Sequence, residues 1–375
     1  VGSARQIGRL LHLADALPDP DTPTAPPVTS IVHPTPSITE PPTTTPTLVD
    51  AWPGAEPFAL DGSFDRAGWH PMASSALVFV SAFVMFQVVG GVAMLVGPIL
   101  DAVRAGTVPT DPMDLLTDSP AAVLGGNALG QAVAFGLFAV LAARWSSRRW
   151  RPFVRLRRPD GAGLALAALG WVALYPVVLF LGDLNAKLPL PGPLQAMDDM
   201  RAEMLESLLL GGEASTAFLL LTVALTPAIF EELLFRGYLM RQVERVWGIG
   251  TAIVATGVFF GAYHLSITQL VPLSVLGIYM GFVVWATGSL WTGVLVHLLN
   301  NGLAVLIAAM ARTRPEMNVD SLEGLGVSWY LGLAMAAAGA VAVAGLVRAM
   351  VARRHAVTGG APDARPLPLP SPALP

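Results

Sequence analysis

The sequence contains no cysteine. That excludes a disulfide framework, a thiolate zinc site and a cysteine nucleophile. Charge is scarce as well. Charged residues make up 13 % of the chain against 54 % hydrophobic residues, with a mean hydropathy of +0.60, a balance far from that of a soluble domain. No His-Glu-x-x-His pattern occurs, so nothing points to a zincin-type site. The formal net charge of −4 says little beside the placement of the charges, and no nucleic-acid partner is expected. No cleavable signal peptide is visible, and the first residue is Val1 rather than Met, so an incomplete N-terminus is expected.

What the chain does have is apolar blocks of about 20 residues, the length that crosses a hydrocarbon core of about 30 Å. Eight spans are expected, at 76–100, 121–143, 161–182, 216–240, 249–268, 270–288, 289–311 and 327–349. The fold is therefore read as all-α and polytopic, with about eight transmembrane helices within residues 71–355. The flanks are a different material. Residues 1–70 include "PDPDTPTAPPVTSIVHPTPSITEPPTTTPT", and residues 356–375 end in "GGAPDARPLPLPSPALP". Both tails are expected to be disordered, because neither composition buries enough apolar surface to fold.

Arginine placement orients the bundle. Arg144, Arg148, Arg149, Arg151, Arg155, Arg157 and Arg158 follow the second span, Arg241 and Arg245 the fourth, and Arg348, Arg353 and Arg354 the eighth. With eight spans all three clusters share one side, which the positive-inside rule makes cytoplasmic together with both termini. A multi-pass protein of a bacterial plasma membrane is expected, with the lipid bilayer as a partner. In the long loop on the other side, Leu194, Met197, Met204, Leu205 and Leu208 fall at helical spacing, with Asp198, Asp199, Glu203 and Glu206 largely elsewhere. That is the pattern of a helix lying on the membrane surface. Small residues in the third and eighth spans (Gly163, Ala167, Gly170; Ala336, Gly339, Ala340) suit close helix packing.

Against this apolar background the later spans carry a polar set. Glu231, Glu232 and Arg236 follow a charge-free run from Ala217 to Phe230; His264 lies in the fifth span, and His297, Asn300 and Asn301 in the seventh. A charge at membrane depth costs about 2.5 to 3.5 kcal/mol on insertion scales, so such residues mark function by default. Glu231 and His264 each stand roughly 23 Å along a helix from a turn expected at 247–250, so a hairpin brings them level. Glu232 and Arg236 are four apart and share a face, Glu231 points elsewhere, Phe260 sets an aromatic wall beside His264, and His297 projects with Asn301. A carboxylate beside another carboxylate in a dry setting suits a base working near neutral pH. One imidazole can hold a water on it, while a second imidazole and an amide offer donors to a developing oxyanion. The set reads as a hydrolytic site without a nucleophilic side chain.

The segments "EELLFR" (231–236), "FGAYH" (260–264) and "HLLNN" (297–301) match the patterns Glu-Glu-x-x-x-Arg, Phe-x-x-x-His and His-x-x-x-Asn without departure. In that order on successive apolar segments, the chain resembles the CAAX prenyl protease type II family, whose bacterial members are also called CPBP or Abi proteases. The resemblance covers about residues 215–310. It implies an eight-helix intramembrane endopeptidase acting on a membrane-associated protein or peptide. It further implies Glu231 as the base that activates water, His264 positioning that water, His297 and Asn301 forming the oxyanion hole, and Glu232 and Arg236 in support beside Phe260. No cofactor is expected; the alternative is zinc held by Glu231, His264 and His297, a three-ligand set of catalytic type. Two other functions would use the same cluster. One is a proton-coupled transporter, which requires a polar path to both faces; the other is a nonproteolytic membrane scaffold.

Overall fold

The computed structural model describes residues 47–48, 52–106, 120–211, 214–313 and 328–360; most of the expected tails lies outside them. Long apolar runs become long helices because, in lipid, each backbone N–H and C=O has to be satisfied within its own segment. Among the described residues, seven helices are long and apolar enough to cross a membrane: α2 (Pro71–Ala105), α3 (Pro120–Ser146), α5 (Gly161–Ala186), α7 (Thr216–Tyr263), α8 (Leu270–Thr287), α9 (Leu290–Thr313) and α10 (Trp329–Thr358). The short helices α1 (Ser63–Arg66) and α4 (Trp150–Phe153) and the more polar α6 (Gly192–Leu210) accompany them. The only strands among the described residues are a two-residue antiparallel pair, β1 (Thr47–Leu48) with β2 (Phe58–Ala59). The protein is an all-α, multi-pass membrane protein.

Seven helices stand where eight spans are expected because α7 holds two of them. Its 48 residues pass through Gly248, whose φ of 77° and ψ of 170° are not helical. The chain reverses there. Phe235 on one side of Gly248 meets Phe260 on the other edge-on, with ring centroids 5.3 Å apart. Limbs 216–247 and 249–263 thus form the hairpin expected at 247–250. The second limb stops at Tyr263, short of the expected residue 268. His264 caps it, and Leu265 takes a φ of 53°, the left-handed conformation that ends helices.

The three arginine clusters meet at one end of the bundle. Arg155 Nη2 lies 2.9 and 2.7 Å from the two carboxylate oxygens of Glu244, and Arg241 joins the same carboxylate at 3.2 Å. Arg353 pairs with Asp160 at 2.6 Å. Arg348, Arg353 and Arg354 lie on α10 itself, which runs to Thr358, past both the expected end of its span at 349 and the expected start of the tail at 356. The tail boundary expected at residue 70 also differs, since residues 52–70 pack against this end. The guanidinium groups of Arg157 and Arg353 stand 4.9 and 5.6 Å from the ring centroid of Trp52. Phe58 meets Phe153 edge-on, and Asp65 pairs with Arg245. Trp52, Phe58 and Leu60 are all buried, and this apolar surface orders a strap that average composition hides.

The small residues of the third and eighth spans do permit close approach. A Cβ on Gly339 of α10 would collide with the Ala173 carbonyl of α5, and one on Gly170 with the Tyr279 hydroxyl. Helix α6 forms where a surface helix is expected, but it does not bury the whole of the expected apolar face. Leu194, Met197 and Leu205 are exposed, whereas Asp198 is buried together with Leu208. Asp199, Glu203 and Glu206 are exposed, as expected.

Gly248 sits in a backbone region that is close to glycine-only, so Gly248→Ala is expected to cost about 1–3 kcal/mol. Its thermal midpoint in detergent should fall below wild type, while Gly250→Ala, whose Cβ meets nothing within 4 Å, should not move it. Equal midpoints for the two variants would remove Gly248 as the point of reversal.

Candidate active site

Glu231 and Glu232 end a short α-helical stretch, Thr226–Glu232, that is bracketed by two π-helical turns, Leu220–Leu225 and Leu233–Leu239. Such wide turns inside helices are frequently found at functional sites. They re-aim the side chains around the Glu pair away from a regular helical repeat.

Glu232 is wholly buried, and its Oε1 accepts two hydrogen bonds, from Arg236 Nη1 at 2.6 Å and from His297 Nδ1 at 3.1 Å. Arg236 is also wholly buried. Its Nη2 donates to the Gly277 carbonyl of α8 at 2.9 Å, and its guanidinium lies 4.5 Å from the Phe260 ring centroid. Phe260 in turn meets His264 and His297 edge-on, at 4.8 and 5.6 Å. One carboxylate and one aromatic ring therefore join all three motifs. Room for the carboxylate comes from Gly293, one turn before His297, where a Cβ would stand 2.8 Å from Glu232 Oε2.

Both imidazoles are oriented by their partners. His264 Nδ1 lies 2.8 Å from the Phe260 carbonyl; a carbonyl only accepts, so Nδ1 carries the hydrogen and Nε2 keeps its lone pair. His297 donates from Nδ1 to the Glu232 carboxylate, which likewise leaves Nε2 available. His264 is not mid-span. It ends the second limb, about 22 Å along the helix from Gly248, toward the end of the bundle remote from the arginines.

Asn301 is fixed through a proline. Pro227 has no N–H to offer the carbonyl four residues before it, which is that of Val223, and Asn301 Nδ2 donates to this oxygen at 3.1 Å. Asn300 Nδ2 donates to Asn301 Oδ1 at 3.2 Å. The two contacts set the amide plane and leave Asn301 one N–H. Asn300 thus orients Asn301.

Glu231 is 4 % exposed, and its Oε2 is buried with no hydrogen-bond partner. It stands within electrostatic reach of His297, Glu232 and Arg236. A buried carboxylate oxygen without a partner is what a water-activating base presents. The imidazoles and carboxylate named for zinc are suitable donor types, but they are not gathered as a ligand set. Among the described residues, no three His, Cys, Asp or Glu side chains are so arranged.

The sequence reading did not find the Glu232–His297 bond, the Gly277 and Val223 carbonyls, or the role of Gly293. Two of these had signals: a proline four residues after Val223, and a glycine four residues before His297.

Breaking a buried ion pair from one side costs about 3–5 kcal/mol, because it strands the other charge. Glu232→Gln is therefore expected to melt below wild type by circular dichroism in detergent, and Glu232→Gln/Arg236→Met to recover part of the loss. Gly293→Ala should also melt lower, since its methyl group presses on the same carboxylate. A Glu232→Gln midpoint equal to wild type would mean that the pair contributes nothing.

Residues 213–303 match the family model described as Type II CAAX prenyl endopeptidase Rce1-like. No curated protein and no solved structure matches the chain. The matched segment takes in all three motifs and leaves out the strap, α2 to α6 and α10. Over residues 213–303 the chain is thus similar to the Rce1-like type II CAAX prenyl endopeptidases, the family its motifs resemble, and this similarity supports a membrane-embedded peptidase.

Proposed function

We propose that the protein is an intramembrane endopeptidase that hydrolyses a peptide bond of a membrane-associated protein or peptide with a water activated by Glu231. The observation that carries this reading is the buried, unpartnered Glu231 Oε2 in a cluster where His264, His297 and Asn301 each keep one hydrogen-bonding group free. Glu231 and His264 Nε2 both accept, so a water donating one hydrogen to each has a lone pair aimed away from both. Glu231 takes the proton as the water oxygen attacks the carbonyl carbon. The oxyanion is met by the remaining Asn301 N–H and by the His297 ring, which Glu232 orients. Collapse breaks the C–N bond, and Glu231 returns the proton to the leaving amine. This mechanism uses no metal.

A membrane-associated substrate suits the surroundings. An apolar cavity of about 440 Å³ between α2 and the α7 hairpin is lined by Phe79, Val80, Leu239, Trp247 and Phe259. Phe79 and Phe259 lie 4.5 Å apart, and Phe235 contacts both Phe259 and the site residue Phe260. The arginine-rich end is proposed as the cytoplasmic one, with the described chain entering and leaving there.

Glu231→Gln keeps the side chain's volume but cannot accept the proton, so the variant should fold and insert normally and lose cleavage. Comparative proteomics of membranes carrying wild type or Glu231→Gln should show a substrate that accumulates uncut; a variant with normal peptidase activity would end this mechanism. Removing one oxyanion donor typically lowers kcat about 10²- to 10³-fold with little change in binding, which is the expectation for Asn301→Ala. Asn300→Ala should cost less, because it loosens the donor without deleting it. The reverse ranking on a defined substrate would exchange their roles. Purified protein should keep its activity in a chelator. One tightly bound zinc per chain, lost in His264→Ala, would require a metal mechanism instead.

A further inference from the structure

The loop after His264 is held from outside the three motifs. Residues 264–269 join α7 to α8 without helical structure. Asn185, near the end of α5, donates from Nδ2 to the Ile267 carbonyl at 2.5 Å. Asp198 of α6 accepts on Oδ2 from the Thr268 backbone N–H at 3.1 Å and also from the Thr268 hydroxyl, which itself stands 3.3 Å from Ser266 Oγ.

Asp198 is 8 % exposed on a helix whose neighbouring Met197 and Met200 are 61 % and 57 % exposed. Turning a carboxylate inward persists only where hydrogen bonds offset its desolvation, and these bonds go to the loop of a candidate site residue. They are not needed to dock the helix. The other half of α6 is anchored by Leu208, buried with Val123, Leu124, Leu219 and Val305. Arg201, one turn after Asp198, is half-buried and within electrostatic reach of both Asp198 and His264.

We propose that Asp198 is a positioning residue for His264: through Thr268 it fixes the 264–269 loop, and with it the direction in which the His264 imidazole presents Nε2. The imidazole is then held twice, by the Phe260 carbonyl from within α7 and by the clamped loop from α6. Burial pushes the Asp198 carboxyl up, but hydrogen bonds from Thr268 and Ser266, with Arg201 nearby, outweigh it and hold the group below the usual carboxylate range. The clamp is thus ionised at neutral pH and weakens only as pH falls through that depressed value.

The role of His264 rests on the peptidase reading, so the test includes a measurement that does not. Carbethoxylation of His264 by diethylpyrocarbonate, followed by mass spectrometry on the full chain in nanodiscs, reports the ring without substrate; exposed His70 and His355 serve as references. Asp198→Ala should change the His264 rate several-fold and leave the reference rates and the melting midpoint near wild type. Asp198→Asn, which keeps an acceptor oxygen, should restore most of the wild-type rate. On a farnesylated, internally quenched peptide, Asp198→Ala should lower kcat by about 10²-fold, the scale of a misplacement of about 1 Å. KM should stay within about twofold of wild type, a split that a merely unstable protein would not give. An unchanged His264 rate in Asp198→Ala overturns the proposal, and so does an unchanged kcat where Glu231→Gln is inactive. If the wild type cleaves nothing, or Glu231→Gln cleaves normally, the peptidase mechanism fails and the reactivity measurement alone decides the positioning claim.

Discussion

The buried carboxylate of Glu232 holds Arg236 and His297 at once, so the helices that carry them cannot move independently. Both charges are wholly buried, so breaking the pair from one side strands the other charge. The surroundings follow from that constraint. Gly293 has to lack a side chain for the carboxylate to fit, Gly277 has to present its carbonyl to the second guanidinium nitrogen, and the Phe260 face lies against the cation. A charge pair that would be costly alone becomes the joint of three helices, and the histidine it orients gains a fixed ring direction.

The first limb of α7 does two things that an ordinary helix would not. Pro227 strips one backbone carbonyl of its donor, and the π-helical turns on either side shift the register of the Glu pair. Irregular backbone inside a membrane persists only where other parts of the protein satisfy it. Here Asn301 from α9 does so. The irregularity is thus tied to the amide proposed as an oxyanion donor.

Much of the architecture is visible in the sequence because bilayer thickness imposes a length on apolar runs, and the hairpin is visible because a glycine-containing gap lies between two of them. The helix ends are less visible. Hydropathy continues to residue 268, but the second limb of α7 stops at Tyr263 because Leu265, not a glycine, takes the left-handed conformation. Helix α6 buries Asp198 and leaves Leu194, Met197 and Leu205 exposed, because apolar spacing locates a buried face only when the surroundings are water. The strap around Trp52 vanishes when 70 residues are averaged as one composition. Within the site, pairs four residues apart on one helix, such as Glu232 and Arg236, can be read from spacing. The bond from Glu232 to His297 crosses 65 positions, and no local pattern encodes it.

Both Arg157 and Arg353 stand over the Trp52 ring, and this has a consequence for the making of the protein. At a synthesis rate of about 5–20 residues per second, the second of these cations follows the indole by roughly 15–60 s. Until then the strap has a seat against the early helices without the Arg353 contact, which α10 supplies only after the other described spans have been synthesised. A chain that lost α10 would leave this side of the indole and an arginine-rich surface more open, which is the kind of unfinished surface that quality-control proteases and chaperones engage.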